Sequence, residues 1–155
     1  EKKEEKMDAQ AELKEAAMTL YSQDETTKWN LKANSIEHFA NSKQIKLKKV
    51  SAEIYEEGEK VVTLTAKEGI LDTKTNFLEL IGPLIIKSGT KVIKANHLNW
   101  NTAKNELIGS GDILLKQQGL KVRGEKFISQ IDLNRLRVLE NVHVTSRKED
   151  DKNEK

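Results

Sequence analysis

Residues 62–80 read VTLTAKEGILDTKTNFLEL, and this stretch decides the fold. Leu64 and Ala66 alternate with Thr63, Thr65 and Lys67; further on, Leu78 and Leu80 flank Glu79. Successive side chains of a strand point to opposite faces, so a period of two predicts strands with one apolar and one polar face. Between the two runs lies Asp72-Thr73-Lys74-Thr75-Asn76. Asp and Asn hydrogen-bond their own backbone and tolerate left-handed conformations, which suits a tight reversal. The stretch therefore reads as strand, Asx-rich turn, strand.

Working outward, the same unit recurs. Ala66, Ala95 and Gly124 stand 29 residues apart, each two residues after an aliphatic: Leu64, Ile93 and Val122. Leu78, Leu107 and Leu136 keep that offset, as do Leu84–Ile86, Ile113–Leu115 and Val142–Val144. A looser first copy runs from Trp29-Asn30-Leu31-Lys32-Ala33 to Ile45. Asn101–Asn105 and Asp132–Arg135 supply the equivalent reversals, while Gly58, Ser88-Gly89 and Gln118-Gly119 close the units at their other end. Pro83 lacks a ladder donor and is expected at an edge or bulge. Gly109 and Gly111 mark a bend in the corresponding stretch of the next unit. A stacked or open antiparallel β structure over residues 21–146 follows.

The ends read differently. Residues 1–20, EKKEEKMDAQAELKEAAMTL, are rich in helix formers, with Leu13, Ala16, Ala17 and Leu20 as a narrow apolar stripe. They are expected to form a charged helical or disordered connector. Residues 147–155 are a mixed-charge tail, expected to be disordered. The chain begins at Glu1, so a membrane anchor ahead of it is an open expectation.

Composition narrows the chemistry. The 155 residues are 34% charged but carry a net charge of only +2, with the signs interleaved and no Lys/Arg block. With 5% aromatics as well, nucleic acid is not the expected partner. No cysteine is present, which removes thiolate and iron–sulfur chemistry. His38, His97 and His143 have no partner at metal-ligand spacing. Asp72 and Asp132 are accounted for by turns, and Asp112, after Gly111, by a bulge or turn. No nucleophile elbow, P-loop or dinucleotide fingerprint occurs, so neither enzymatic activity nor a cofactor or metal is expected.

What remains is an aliphatic face without a polar constellation. Read in register it carries Leu64, Leu78, Leu80, Ile86, Ile93, Trp100, Leu107, Leu115, Val122, Leu136 and Val138. Such a face is either plain core or a groove. Acyl chains need only apolar area, at about 0.8 kcal/mol per buried methylene, and so are the ligand class it fits.

At this point the residues resemble a known family. Trp29-Asn30-Leu31-Lys32-Ala33, Val62 to Gly69, Leu78 to Gly82, Ala95 to Leu107, Val122-Arg123-Gly124 and Leu139 to Val142 are similar to the LptC-like periplasmic component of the lipopolysaccharide export bridge. The LptA/OstA-like soluble bridge protein shares the repeat and is the alternative; a β-repeat structural or adhesion module without a lipid ligand is another. The resemblance implies a twisted, open β-jellyroll whose seam holds lipopolysaccharide acyl chains, with the eleven residues above as contacts. It also implies two partners: an inner-membrane ABC transporter complex, and a downstream periplasmic bridge protein bound by strand-edge pairing. Trp29, Leu31 and Ala33 are the expected edge toward the transporter, and Val142 and Val144 the downstream edge. A periplasmic location with an N-terminal inner-membrane tether is likewise implied.

Overall fold

The computed structural model describes residues 9–39 and 41–146. Ten strands follow one another: β1 (Ala9–Tyr21), β2 (Thr27–Phe39), β3 (Gln44–Glu56), β4 (Glu59–Asp72), β5 (Leu78–Ser88), β6 (Lys91–Asn101), β7 (Glu106–Gln117), β8 (Leu120–Gln130), β9 (Leu136–Leu139) and β10 (His143–Ser146). They form one antiparallel sheet in sequence order from β1 to β8, with β9 and β10 both on the far side of β8. The turns work as the Asx chemistry requires. Asp72 Oδ1 accepts from the Lys74 and Thr75 amides at 2.8 and 3.1 Å, and Asn101 Oδ1 from the Ala103 and Lys104 amides at 3.0 Å each.

Strands of 11–14 residues exceed the usual 3–10 and cannot stay flat. They bend at mid-length. Register shifts occur at Thr65/Glu68, Ile81/Leu84, Lys94/His97 and Ser110/Ile113, one above the other across β4–β8. Pro83 sits at this line in β5, where the lost donor coincides with the broken ladder. In β7 the extra residues are Gly111 and Asp112, at φ 83° and 50°. Beyond β8 the same line separates β9 from β10, through Glu140 and Asn141 in the left-handed region. Small residues pave the inside of the bend: Ala33, Ala66, Ala95 and Gly124 are buried and pair with larger Val50, Leu84 and Ile113. The 29-residue recurrence of Ala66, Ala95 and Gly124 is this line read along the chain.

Each strand thus contributes one half to each of two facing layers. Residue pairings give the winding. Trp29, in the first residues of β2, stacks on Trp100, at the end of β6, with ring centroids 4.6 Å apart and planes 19° from parallel. Asn105 links them, accepting from Trp100 Nε1 at 3.0 Å and donating to Thr27 Oγ1 at 2.6 Å. In the same way Ser88 Oγ donates to the Val61 carbonyl at 2.8 Å and lies 3.4 Å from that of Asp132, in the loop after β8. One end of a strand therefore meets the other end of a strand about four further on, and the sheet winds into a twisted, open β-jellyroll.

One expectation is corrected. Residues 9–20 are strand, not a helical or disordered connector, and β1 is the first strand of the sheet. Ala16, Met18 and Leu20 pack against the core at a period of two. Ladder bonds to β2 together with this burial outweigh the intrinsic helix preference of the segment. Residues 1–8 and the 147–155 tail lie outside the described residues.

Candidate functional site: the apolar seam and its open end

Cross-strand pairing arranges the inward side chains in continuous rows. One runs Met18–Leu31–Ala52–Leu64–Ile86–Ile93–Leu115–Val122–Val144, from β1 to β10. Below the bend a second runs Leu47–Gly69–Leu80–Leu98–Gly109–Phe127–Val138. A third runs Ile45–Leu71–Leu78–Trp100–Leu107–Ser129–Leu136. All eleven residues read from the sequence as the apolar seam lie on these rows. Pairing brings Leu64, Ile86, Ile93, Leu115 and Val122 onto the first, Leu80 and Val138 onto the second, and Leu78, Trp100, Leu107 and Leu136 onto the third.

Burial along the first row is graded. Ile86 and Ile93 are 0% exposed, Leu115 is 9%, Val122 is half-buried and Val144 is 63% exposed. The gradient follows from the four-strand winding. Above the bend, β2 and β4–β5 meet the far ends of β6 and the loop after β8, whereas β7, β8 and β10 have no later strand to meet. The seam is close-packed in the middle and open at the β8–β10 end. Leu136 and Val138, partly buried on β9, flank the opening.

The edge assignment needs correction at one end. Trp29, Leu31 and Ala33 belong to β2, which is hydrogen-bonded on both sides, by β1 and β3. They are core residues, because the segment read as a connector supplies the true edge strand, β1. Val144 lies on β10, at the other end of the sheet, and the exposed Val142 lies in the turn before it. Among the described residues β1, β9 and β10 each have one strand neighbour.

The sequence reading missed Leu98 and Phe127 as seam residues. Their signal was present, since Gly69, Leu98 and Phe127 also recur every 29 residues. Gly109 in that row is required by crowding: a Cβ there would collide with three carbons of the Phe127 ring, whereas one on Gly69 would press only lightly on Leu80 and Leu47.

The seam's chemistry is apolar throughout. Among the described residues the three rows hold no charged side chain, and Ser129 is the polar member, its hydroxyl bonded to the Gln130 carbonyl at 2.7 Å. At the closed end Trp29 Nε1 and Thr102 Oγ1 are buried without a hydrogen-bond partner. The histidines are dispersed: His38 beside the Ser42 carbonyl at 3.3 Å, His97 against Glu79 at 3.2 Å, and His143 on the exposed edge. Glu56, near the closing loop, has its carboxyl held above the ordinary value by burial and then by the charges of Asp132 and Glu57. What this arrangement offers is apolar surface, packed at the centre and exposed at Val144.

Fold and site together define an open β-jellyroll with an apolar interior and strand edges at both ends. The family model described as "Lipopolysaccharide-assembly, LptC-related" matches residues 1–147, and the chain belongs to that family. A solved structure of similar fold is that of LptH from Pseudomonas aeruginosa, described as the LptA homologous periplasmic component of the conserved lipopolysaccharide transport device. The two superpose with a TM-score of 0.59 at 12% identity, covering 76% of this chain and 93% of that one. At this identity the likeness concerns the fold. No curated protein sequence matches the chain.

Proposed function

We propose that this chain is a non-enzymatic, lipopolysaccharide-carrying segment of the periplasmic export bridge. It receives lipid from the inner-membrane ABC transporter and passes it to the next β-jellyroll. The observation that carries this reading is the first inward row, apolar over nine strands and progressively exposed toward β10. An acyl chain laid over Leu115, Val122 and Val144 covers about four to five methylenes and gains roughly 3–4 kcal/mol. The buried residues Leu64, Ile86 and Ile93 then serve as the wall against which the seam widens. Strand edges β1 and β10 supply the backbone groups for pairing with neighbouring jellyrolls, β1 toward the transporter and β10 toward the downstream partner. Family membership supports a periplasmic setting; no helix among the described residues is long and apolar enough to cross a membrane.

A second reading is favoured by one observation, the close packing of Ile86, Ile93 and Leu107 at the seam's centre. Under it the seam is dry, and the end strands make a structural module. Val122→Asp separates the two. Val122 is half-buried, so the fold survives, while a carboxylate in the open seam opposes hydrocarbon. Binding of lipopolysaccharide by the purified chain is expected to weaken at least tenfold. Unchanged binding, or none by the unaltered chain, would favour the dry module.

A further inference from the structure

The outward face of the same strands carries a second surface. Above the bend, two outward rows flank the first seam row. One runs Thr65–Ile85–Lys94–Leu114–Arg123–His143 and the other Thr63–Lys87–Val92–Lys116–Lys121–Thr145. From β4 to β10 these rows hold five cations and a histidine, and no carboxylate. Among the described residues, carboxylates flank these rows at their borders: Glu53 on β3, paired with Lys60 at 3.5 Å, and Asp112, Glu125 and Glu140 along the bend. The cations are spread over 37 positions of the sequence, from Lys87 to Arg123, and interleave there with acids. Strand pairing sorts them onto one face.

With strands about 4.8 Å apart, β5 to β10 span about 19 Å, and the rows lie about 7 Å apart. Neighbouring charges lie about 5–8.5 Å apart, comparable to the Debye length of about 8 Å, and act as one field. Cations and aliphatics alternate across it, Ile85, Val92 and Leu114 among them, with Ile85 exposed. Four of the five cations are lysines, compact point charges rather than the planar fork that selects a carboxylate or phosphate in fixed geometry. The rows carry no aromatic platform for bases.

We infer that this outward face of β5–β8 and β10 docks on an anionic phospholipid bilayer surface. The lysines and Arg123 meet headgroup phosphates, and Ile85, Val92 and Leu114 settle among the headgroups. The sheet lies between this face and the seam, so docking leaves the seam's opening at β10 accessible.

The test is flotation of the full chain with vesicles of phosphatidylcholine containing 30% phosphatidylglycerol, against pure phosphatidylcholine. Association with the anionic vesicles at 50 mM salt and its loss at 500 mM are expected. Lys94→Gln with Arg123→Gln should weaken it about 25-fold, taking roughly fivefold per cation at a membrane surface. Lys46→Gln with Lys48→Gln, exposed on β3 below the bend, makes the same change in net charge and should shift association less than twofold. Val122→Asn, which puts a polar group in the seam without adding charge, should leave it intact, which separates this surface from the seam. No association with anionic vesicles, or equal loss in the two lysine/arginine pairs, would overturn the inference. So would tighter binding to polyglutamate than to the vesicles, which would assign the face to an acidic protein.

Discussion

The winding of the sheet rests on contacts between strands distant in sequence, and the Trp29–Trp100 stack is the one most open to measurement. Trp100→Ala removes a fully buried indole, its stacking partner's contact and the donor to Asn105. Truncations of this kind cost about 3–5 kcal/mol. Trp29→Ala removes the same contact from the other side. The part shared by the two substitutions is the stack itself, about 0.5–1.5 kcal/mol beyond area burial. A double-mutant cycle in urea, followed by far-UV circular dichroism so that loss of an indole does not disturb the signal, isolates that coupling. The two phenylalanine variants sharpen the test. Trp100 Nε1 donates to Asn105, whereas Trp29 Nε1 has no partner. Trp100→Phe should therefore cost about 0.5–1.5 kcal/mol more than Trp29→Phe, the usual net contribution of a hydrogen bond whose half-buried acceptor can still reach water. Additivity of the alanine pair to within about 0.3 kcal/mol would refute the closure of β2 onto β6.

Two further outcomes follow from the geometry. Gly109→Ala should destabilise by about 1–3 kcal/mol through overpacking against Phe127, and Phe127→Leu in the same chain should recover part of that loss in urea midpoint. Folded Glu56 holds its proton more tightly than unfolded Glu56. The stabilisation is full below the ordinary carboxylate value and is lost as pH rises through the raised one. Glu56→Gln should remove this contribution, flattening the fall of the thermal midpoint that the parent shows as pH rises above the ordinary carboxylate range. A variant with the parent's slope would contradict it.

The parts of this fold that were legible in the sequence are those fixed by local chemistry. Asp72 and Asn101 announce their turns because a short polar side chain can reach only its own backbone. Ala66, Ala95 and Gly124 announce the repeat by their even spacing, and Pro83, Gly109 and Gly111 announce the bend because proline lacks a ladder donor and glycine accepts the kink. The strand at 9–20 was not legible, since Glu, Ala, Leu and Lys favour helix in isolation and only pairing with β2 decides otherwise. The misplaced edge at Trp29 is the same error seen from its neighbour. The seam's inward residues could be read from alternation, but not which of them are open. That distinction between Ile86 and Val144 arises from the four-strand winding, a tertiary feature without a local signature. The clustering of Lys87, Lys94, Lys116, Lys121 and Arg123 was invisible for a related reason: their stretch of sequence includes Glu106 and Asp112, whereas their cross-strand pairing partners among the described residues are not acids.

The central claim is that the inward row ending at β10 carries hydrocarbon. A photo-crosslinking side chain placed singly at Leu115, Val122 and Val144, and separately at the exposed outward positions Lys32, Ser51 and Glu53 on β2 and β3, off the cationic face, tests it on one sheet with one ligand. The alternation of the strands predicts lipopolysaccharide capture at the three inward positions and little at the three outward ones. Equal capture on both faces, or capture on the outward face alone, would contradict the seam as the lipid path.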